Sequence, residues 1–219
     1  MNRCSTHLAR TASLLARTAT HSARAARTAI AALTLAGSLA GLLFVCPVQG
    51  AEPESAASGF TLQSPQIKAG GEIASEQVFN AFGCTGKNIS PALSWSHAPA
   101  GTQSFALLAY DPDAPTGSGW WHWVVYNIPA NTTSLVAGAG DPKKNLLPAG
   151  AVQGRTDFGT VGYGGPCPPP GKPHHYYFRL YALKVPKLDI PMDATAAFVG
   201  FNVNANAIGK AQLLGLYGR

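Results

Sequence analysis

The sequence predicts a mainly β fold, and its composition and apolar runs support this prediction. The chain of 219 residues is 46% hydrophobic and only 12% charged, with 24 glycines and 17 prolines. This composition is too apolar for a disordered chain, and it favours strands and ordered loops over helical bundles. Runs of apolar, aromatic and β-branched residues predict core strands at Phe105–Tyr110, Trp121–Ile128 and His175–Leu183.

Weaker patterns predict the remaining elements of one domain. In chain order they are a first strand at Phe60–Ile67, a short strand at Pro91–Trp95, a long loop at 129–171, a helical region at Asp193–Lys210 and a closing strand at Leu213–Tyr217. The loop at 129–171 is unusually long, and loops of this length inside a compact domain are usually functional or disordered.

Residues 1–51 have the pattern of an export signal. They contain five arginines and no acidic residue, and an apolar run at Ala29–Val45 precedes the small residues Gly50 and Ala51. This order predicts a signal peptide and export to the periplasm. An organelle transit peptide fits the same arginine-rich start, and an uncleaved membrane anchor fits the length of the run. Residues 52–59 are then a flexible leader and 60–219 the folded domain.

The positive charge of the chain lies mostly in this N-terminal segment. The whole chain has a formal charge of +6, whereas residues 52–219 carry 11 basic and 10 acidic side chains. A nearly neutral domain has no general attraction to polyanions. We therefore predict no nucleic-acid partner, and membrane contact only through an uncleaved leader.

Two cysteines, Cys84 and Cys167, remain after the predicted signal peptide. Cysteines of exported domains are often paired in a disulfide. Two free buried thiols are the alternative, and the sequence leaves both open.

Polar side chains occur in three pairs with i, i+2 spacing, each at a predicted strand end. The pairs are Asp111 and Asp113, Trp120 and His122, and His174 and Tyr176. Residues two apart in an extended chain face the same way, so the three strand ends predict one small polar cup. The glycine- and proline-rich stretch 162–170 is its expected rim, where Gly164 and Gly165 allow close backbone approach to a ligand.

Such a cup suits a small anion. We expect imidazoles beside carboxylates to have a raised pKa, so that His122 and His174 supply positive charge. Phosphate affinity should then fall as the pH rises through the histidine range. A metal site of His122, His174 and one aspartate, a hydrolase with an Asp/His general base, and purely structural roles for these residues remain as alternatives.

Several separated motifs resemble the phosphatidylethanolamine-binding protein family, also called Raf kinase inhibitor-like proteins, in its bacterial branch. The motifs are Asp111–Pro115, Gly119–Pro129, Gly162–Pro169 and His174–Phe178, and the resemblance spans about residues 60–219. It implies an antiparallel β-sandwich with short C-terminal helices. It also implies a pocket for phosphate, acetate or a phosphoethanolamine-like head group.

The resemblance assigns the pocket residues position by position. They are Asp111, Asp113, Pro115, Trp120, His122, Gly164, Pro166, His174 and Tyr176, to which the rim adds Gly165. Members of the family share no catalytic reaction and act as binding and regulatory proteins, some restraining kinases or proteases. We therefore predict a binding protein without cofactor or metal rather than an enzyme. A protein partner that covers the rim at 163–170 is the alternative.

Overall fold

Nine strands and one helix form the part of the chain that the structure describes. The structure is a computed structural model and describes residues 59–219. Its elements are β1 (Thr61–Gln63), β2 (Gly71–Glu72), β3 (Leu93–Ser96), β4 (Ser104–Asp111), β5 (Trp120–Pro129), β6 (Ser134–Leu135), β7 (Val152–Gln153), β8 (His174–Leu183), α1 (Ala196–Asn206) and β9 (Ala207–Tyr217). No helix within these 161 residues is long and apolar enough to cross a bilayer. The signal peptide predicted at 1–51 and the leader up to Ser58 lie outside the described residues.

The strands form two sheets. A small sheet has the order β1–β3–β6, and a large sheet has the order β2–β9–β8–β4–β5–β7. All neighbouring strands are antiparallel except β2 and β9. One apolar cluster combines Leu62, Leu93 and Trp95 of the small sheet with the inner face of the large sheet. The predicted mainly β, sandwich-like architecture is confirmed.

Strand β4 is buried on both faces, as its unbroken apolar sequence predicts. Phe105, Leu107 and Ala109 pack into the core between the sheets. Ala106 and Leu108 pack into a second core on the outer face of the large sheet, where α1 lies. A strand with cores on both sides has a fixed position, so its end is a firm support for a site.

The helical region is shorter than predicted, and α1 is the only helix within residues 59–219. It begins after Thr195, whose side chain accepts a hydrogen bond from the amide of Phe198. From Ala207 onward the chain pairs with β8 as β9, so the helix predicted to reach Lys210 ends at Asn206. Eleven residues of pairing with a buried strand outweigh the weak helix propensity of a segment that contains Gly209. The closing strand is accordingly longer than Leu213–Tyr217.

Candidate functional site

The site lies where one strand of the large sheet ends and its two neighbours begin. Strand β4 pairs with β5 on one side and β8 on the other, both antiparallel to it. Asp111, the last residue of β4, therefore lies opposite Trp120, the first residue of β5. His174 begins β8 at the same edge. Antiparallel pairing thus brings together residues that are up to 63 positions apart.

A small cavity opens at this edge. It has a volume of about 180 Å³. Six of the ten residues predicted for the ligand site line it, namely Asp111, Pro115, Trp120, His122, His174 and Tyr176. The structure therefore brings one or both members of each sequence pair to a common space.

Asp111 and His174 form a buried pair on one wall. The Asp111 side chain is 3% exposed, and its Oδ2 lies 2.8 Å from Nδ1 of His174. Its other oxygen accepts a hydrogen bond of 2.8 Å from the amide of Asp113. Because a carboxylate only accepts, Nδ1 of His174 is the donor. Nε2 is then the nitrogen that His174 can offer to a ligand.

Tyr176 contributes a buried hydroxyl without a partner. The residue is 3% exposed, and its hydroxyl has no hydrogen-bond partner within 3.5 Å among residues 59–219, although Asp111 lies near enough to affect its titration. Burial, together with the negative charge of Asp111, raises the pKa of the phenol. The hydroxyl therefore keeps its proton at neutral pH. A buried donor without an acceptor is costly, so this group favours an acceptor atom in the cavity.

His122 is turned toward the cavity by a β-bulge. Ala109 pairs with Trp123 and Tyr110 pairs with Trp121, so His122 is the extra residue on β5. As a consequence, Trp121 packs at the outer core and Trp123 at the inner core. Bulges commonly re-aim a side chain beside a functional site. No sequence pattern revealed this one.

The expected positive charge on His122 is wrong. The residue is 6% exposed, and its burial lowers the pKa to about 4, although the carbonyl of Gly164 and the charge of Asp111 act in the opposite direction. The proximity of a carboxylate predicts a raised pKa, but desolvation of the imidazolium is the larger effect. His122 is therefore neutral at physiological pH.

Asp113 does not line the cavity. Its Oδ2 accepts hydrogen bonds from the amide and from Nδ1 of His175, at 2.8 and 2.7 Å. The expectation that Asp111 and Asp113 share a face requires extended chain, but β4 ends at Asp111 and a turn follows. Asp113 instead holds the start of β8 to this turn.

Gly164, Gly165 and Pro166 lie behind the cavity wall rather than on it. The amide of Gly164 donates to the carbonyl of His122 at 2.9 Å, and the amide of Gly165 donates to Asn88 Oδ1 at 2.7 Å. A Cβ at Gly164 would lie 2.3 Å from the Phe158 ring, and one at Gly165 would lie 2.0 Å from the Gln77 carbonyl oxygen. We expected these glycines to let the backbone approach a ligand closely. Instead, they let the backbone approach Phe158 and Gln77 closely.

Two phenylalanines that the sequence did not point to form apolar walls. The ring of Phe158 packs edge-on against both Trp120 and His122, with centroids 5.4 Å away in each case. Phe82 stacks on Phe158 at 6.0 Å and is 67% exposed at the mouth. Single aromatic residues in glycine-rich loops were the only signal available in the sequence.

A disulfide connects the two loops at the mouth. Cys84 and Cys167 are bonded, with their Cα atoms 6.0 Å apart. Cys84 lies two residues after Phe82, and Cys167 precedes Pro168 and Pro169, which line the cavity. The bond therefore fixes one wall relative to the other. It also removes Cys167 as a nucleophile for His174.

The side chains present do not form a metal site. Within residues 59–219 no three His, Cys, Asp or Glu side chains are arranged to hold an ion. Nδ1 of His122 is hydrogen-bonded to the carbonyl oxygen of Gly164 at 2.7 Å, and Nδ1 of His174 is hydrogen-bonded to Asp111. These two ring nitrogens are therefore already used by the protein.

Comparison with known proteins identifies the family. The model of the phosphatidylethanolamine-binding protein family matches residues 63–218. The UPF0098 protein YbcL of Escherichia coli K12 is 52% identical over 162 residues, covering 74% of this chain and 88% of its own length. YbhB of the same organism is 46% identical over 156 residues, covering 71% of this chain and 98% of its own.

Solved structures agree with the sequence comparison. The crystal structure of E. coli YbcL, described as a new member of the mammalian PEBP family, superposes with a TM-score of 0.72 at 51% identity and covers 74% of this chain and 99% of its own. A homologue from Chlamydia trachomatis gives 0.62 at 32% identity, with coverage of 74% and 99%. The chain therefore belongs to the phosphatidylethanolamine-binding protein family.

Proposed function

We propose that this chain is a periplasmic binding protein whose cavity holds a small phosphate-like anion, either free phosphate or a phosphoethanolamine-like head group. The buried Tyr176 hydroxyl is the observation that carries this proposal. It is protonated, has no hydrogen-bond partner within 3.5 Å among the described residues, and belongs to a residue that lines a cavity of about 180 Å³. An oxyanion is the ligand that supplies such an acceptor.

The remaining lining residues complement this donor. His174 is fixed by Asp111 so that its Nε2 can face the ligand. Trp120, Pro115 and Phe158 exclude water from the sides of the cavity. Exclusion of water strengthens each hydrogen bond to an anion. A small cavity with few polar atoms suits a head group or a free ion rather than a large ligand.

Binding fits the geometry better than hydrolysis does. Asp111 accepts a hydrogen bond at each oxygen, from the amide of Asp113 and from Nδ1 of His174, which favours a positioning role for this carboxylate over proton abstraction. Cys167 is bonded to Cys84. The name of the family also describes binding rather than a reaction.

Export is supported by two features of the chain. The basic, apolar and small-residue order of residues 1–51 is typical of a signal peptide. The disulfide between Cys84 and Cys167 suits an oxidising compartment.

A protein partner at the mouth is a second candidate, and the exposure of Phe82 favours it. Phe82 is 67% exposed and has a φ of 56°, a conformation that is costly for a bulky residue and often occurs at functional sites. Of the predicted rim, Tyr163 to Pro166 are buried, so a partner can reach mainly Phe82, Pro169 and Pro170.

Calorimetric titration with inorganic phosphate tests the anion proposal. Tyr176→Phe should weaken phosphate binding about tenfold or more, because a hydrogen bond to a charged group contributes roughly 1.5–3 kcal/mol. Tyr126→Phe is the matched control, since Tyr126 is equally buried but packs in the outer core. The proposal is wrong if the wild-type protein gives no binding signal, or if both variants bind phosphate equally well.

A further inference from the structure

The tautomer of His122 is fixed by its surroundings. Its Nδ1 lies 2.7 Å from the carbonyl oxygen of Gly164. A carbonyl only accepts hydrogen bonds, so Nδ1 carries the proton. The ring is neutral at physiological pH, which leaves a lone pair on Nε2. This nitrogen has no hydrogen-bond partner within residues 59–219, and the ring lines the cavity. Nε2 can therefore accept a hydrogen bond from a donor on the ligand.

The charges around His122 give a dianion little stabilisation. Its titratable neighbours are Asp111 of β4 and His174 and Tyr176 of β8, while Phe158 and Gly164 face it from the loop. No lysine or arginine among the described residues lines the cavity. Even a protonated His174 would only balance the charge of Asp111. Each negative charge on the ligand is thus uncompensated in a mostly apolar site, so a dianion is disfavoured more strongly than a monoanion.

A singly protonated phosphate group satisfies both requirements. It carries one negative charge, offers oxygens that accept from Tyr176, and has one P–OH that donates to Nε2 of His122. A phosphodiester also carries one negative charge, but it has no proton to donate. Bound there, it would leave the lone pair of Nε2 unpaired in a buried site, which is costly.

We propose, on the basis of the anion-binding function above, that the cavity selects phosphomonoesters in their singly protonated form and discriminates against phosphodiesters through Nε2 of His122. Binding then depends on a proton carried by the ligand rather than on a charge carried by the protein. Among ligands with a phosphate head group, free monoesters such as phosphoethanolamine are preferred over intact diester lipids.

Two isomeric probes test this selection. Ethyl phosphate and dimethyl phosphate have the same atoms, and at pH 5 each is predominantly a monoanion, because the second pKa of a monoester is about 6. Only ethyl phosphate has a P–OH. Calorimetric titration at pH 5 should show ethyl phosphate binding at least about tenfold more tightly. Between pH 5 and 8 the ratio of its affinity to that of dimethyl phosphate should decrease as the P–OH is lost.

A substitution at His122 locates the origin of the preference. His122→Asn keeps an amide N–H that can donate to the Gly164 carbonyl but loses the acceptor at Nε2. The variant should bind the two isomers within about twofold of each other, while Tyr176→Phe should weaken both and keep their ratio.

The outcomes separate this inference from the anion proposal on which it rests. If the folded wild-type protein binds both isomers equally, or dimethyl phosphate more tightly, the selection is wrong and anion binding stands. If neither isomer nor inorganic phosphate binds at pH 5, the anion proposal itself is wrong. The comparison of isomers is made on the wild-type protein, so it decides the question even where a His122 variant does not fold.

Discussion

At the scale of single residues, His122 links the stability of the domain to pH. Its burial lowers its pKa from 6.5 to about 4, so the unfolded chain binds a proton at a pH where the folded chain does not. The contribution of the neutral ring is complete above pH 6.5 and is lost as the pH falls from about 6.5 to about 4. A shift of this size corresponds to about 3 kcal/mol of unfolding free energy.

Urea unfolding between pH 7 and pH 4 measures this contribution. The wild-type protein should lose about 3 kcal/mol more than His122→Asn over this range. His97→Asn is the control, because His97 is exposed and its φ of 57° suits asparagine. This control should follow the wild-type profile. Parallel profiles for wild type and His122→Asn would show that the ring titrates in the folded state as it does in the unfolded chain.

At the scale of elements, the disulfide joins two loops that lie far apart in the chain. Cys84 and Cys167 are 83 residues apart in the chain. Closing a loop of that length restricts the unfolded chain by on the order of 4 kcal/mol in the entropy model. Replacing both cysteines by serine should lower the unfolding free energy by about that amount. It should also weaken phosphate binding, since the wall at Phe82 loses its covalent link to the loop at Pro168 and only hydrogen bonds, such as those from Arg219 to both loops, remain.

Chemical denaturation with and without reductant checks the disulfide prediction. Reductant should shift the wild-type midpoint to that of the double serine variant and leave the variant unchanged. A wild-type midpoint that equals that of the variant under oxidising conditions would mean that the bond contributes nothing to stability.

At the scale of the whole molecule, the position of the N-terminus tests export. The full-length chain, expressed in a Gram-negative host, should appear in the periplasmic fraction without its first 50 or 51 residues and without free thiols. Its mass, measured before and after thiol alkylation, reports both properties. A cytoplasmic protein of full length would contradict the proposed location.

The main framework could be predicted from sequence because it depends on local patterns. Phe105–Tyr110 is apolar at every position, so a strand buried on both faces follows from the pattern alone. Asp111, His122 and Tyr176 could be grouped because each lies at a strand end. Antiparallel neighbours then bring these ends to one edge of the sheet.

Other features depend on contacts between distant segments and could not be predicted. The ring of Phe158 and the backbone at Gln77 require the glycines at 164 and 165, through close contacts that no sequence pattern indicates. The end of α1 is decided by pairing of Ala207 with β8. The neutral state of His122 follows from its degree of burial, which depends on a bulge and on the surrounding loops.

The two outermost strands of the large sheet are its shortest. β2 and β7 have two residues each, Gly71–Glu72 and Val152–Gln153. Unpaired backbone groups along an exposed strand are a template on which another chain can add. β2 covers only Gly215 and Leu216 of the long strand β9, and β7 covers only Val125 and Tyr126 of β5. Most of the outer edge of β9 therefore has no pairing strand within residues 59–219, and exposed charged side chains such as Lys210 are what oppose the addition of another chain there.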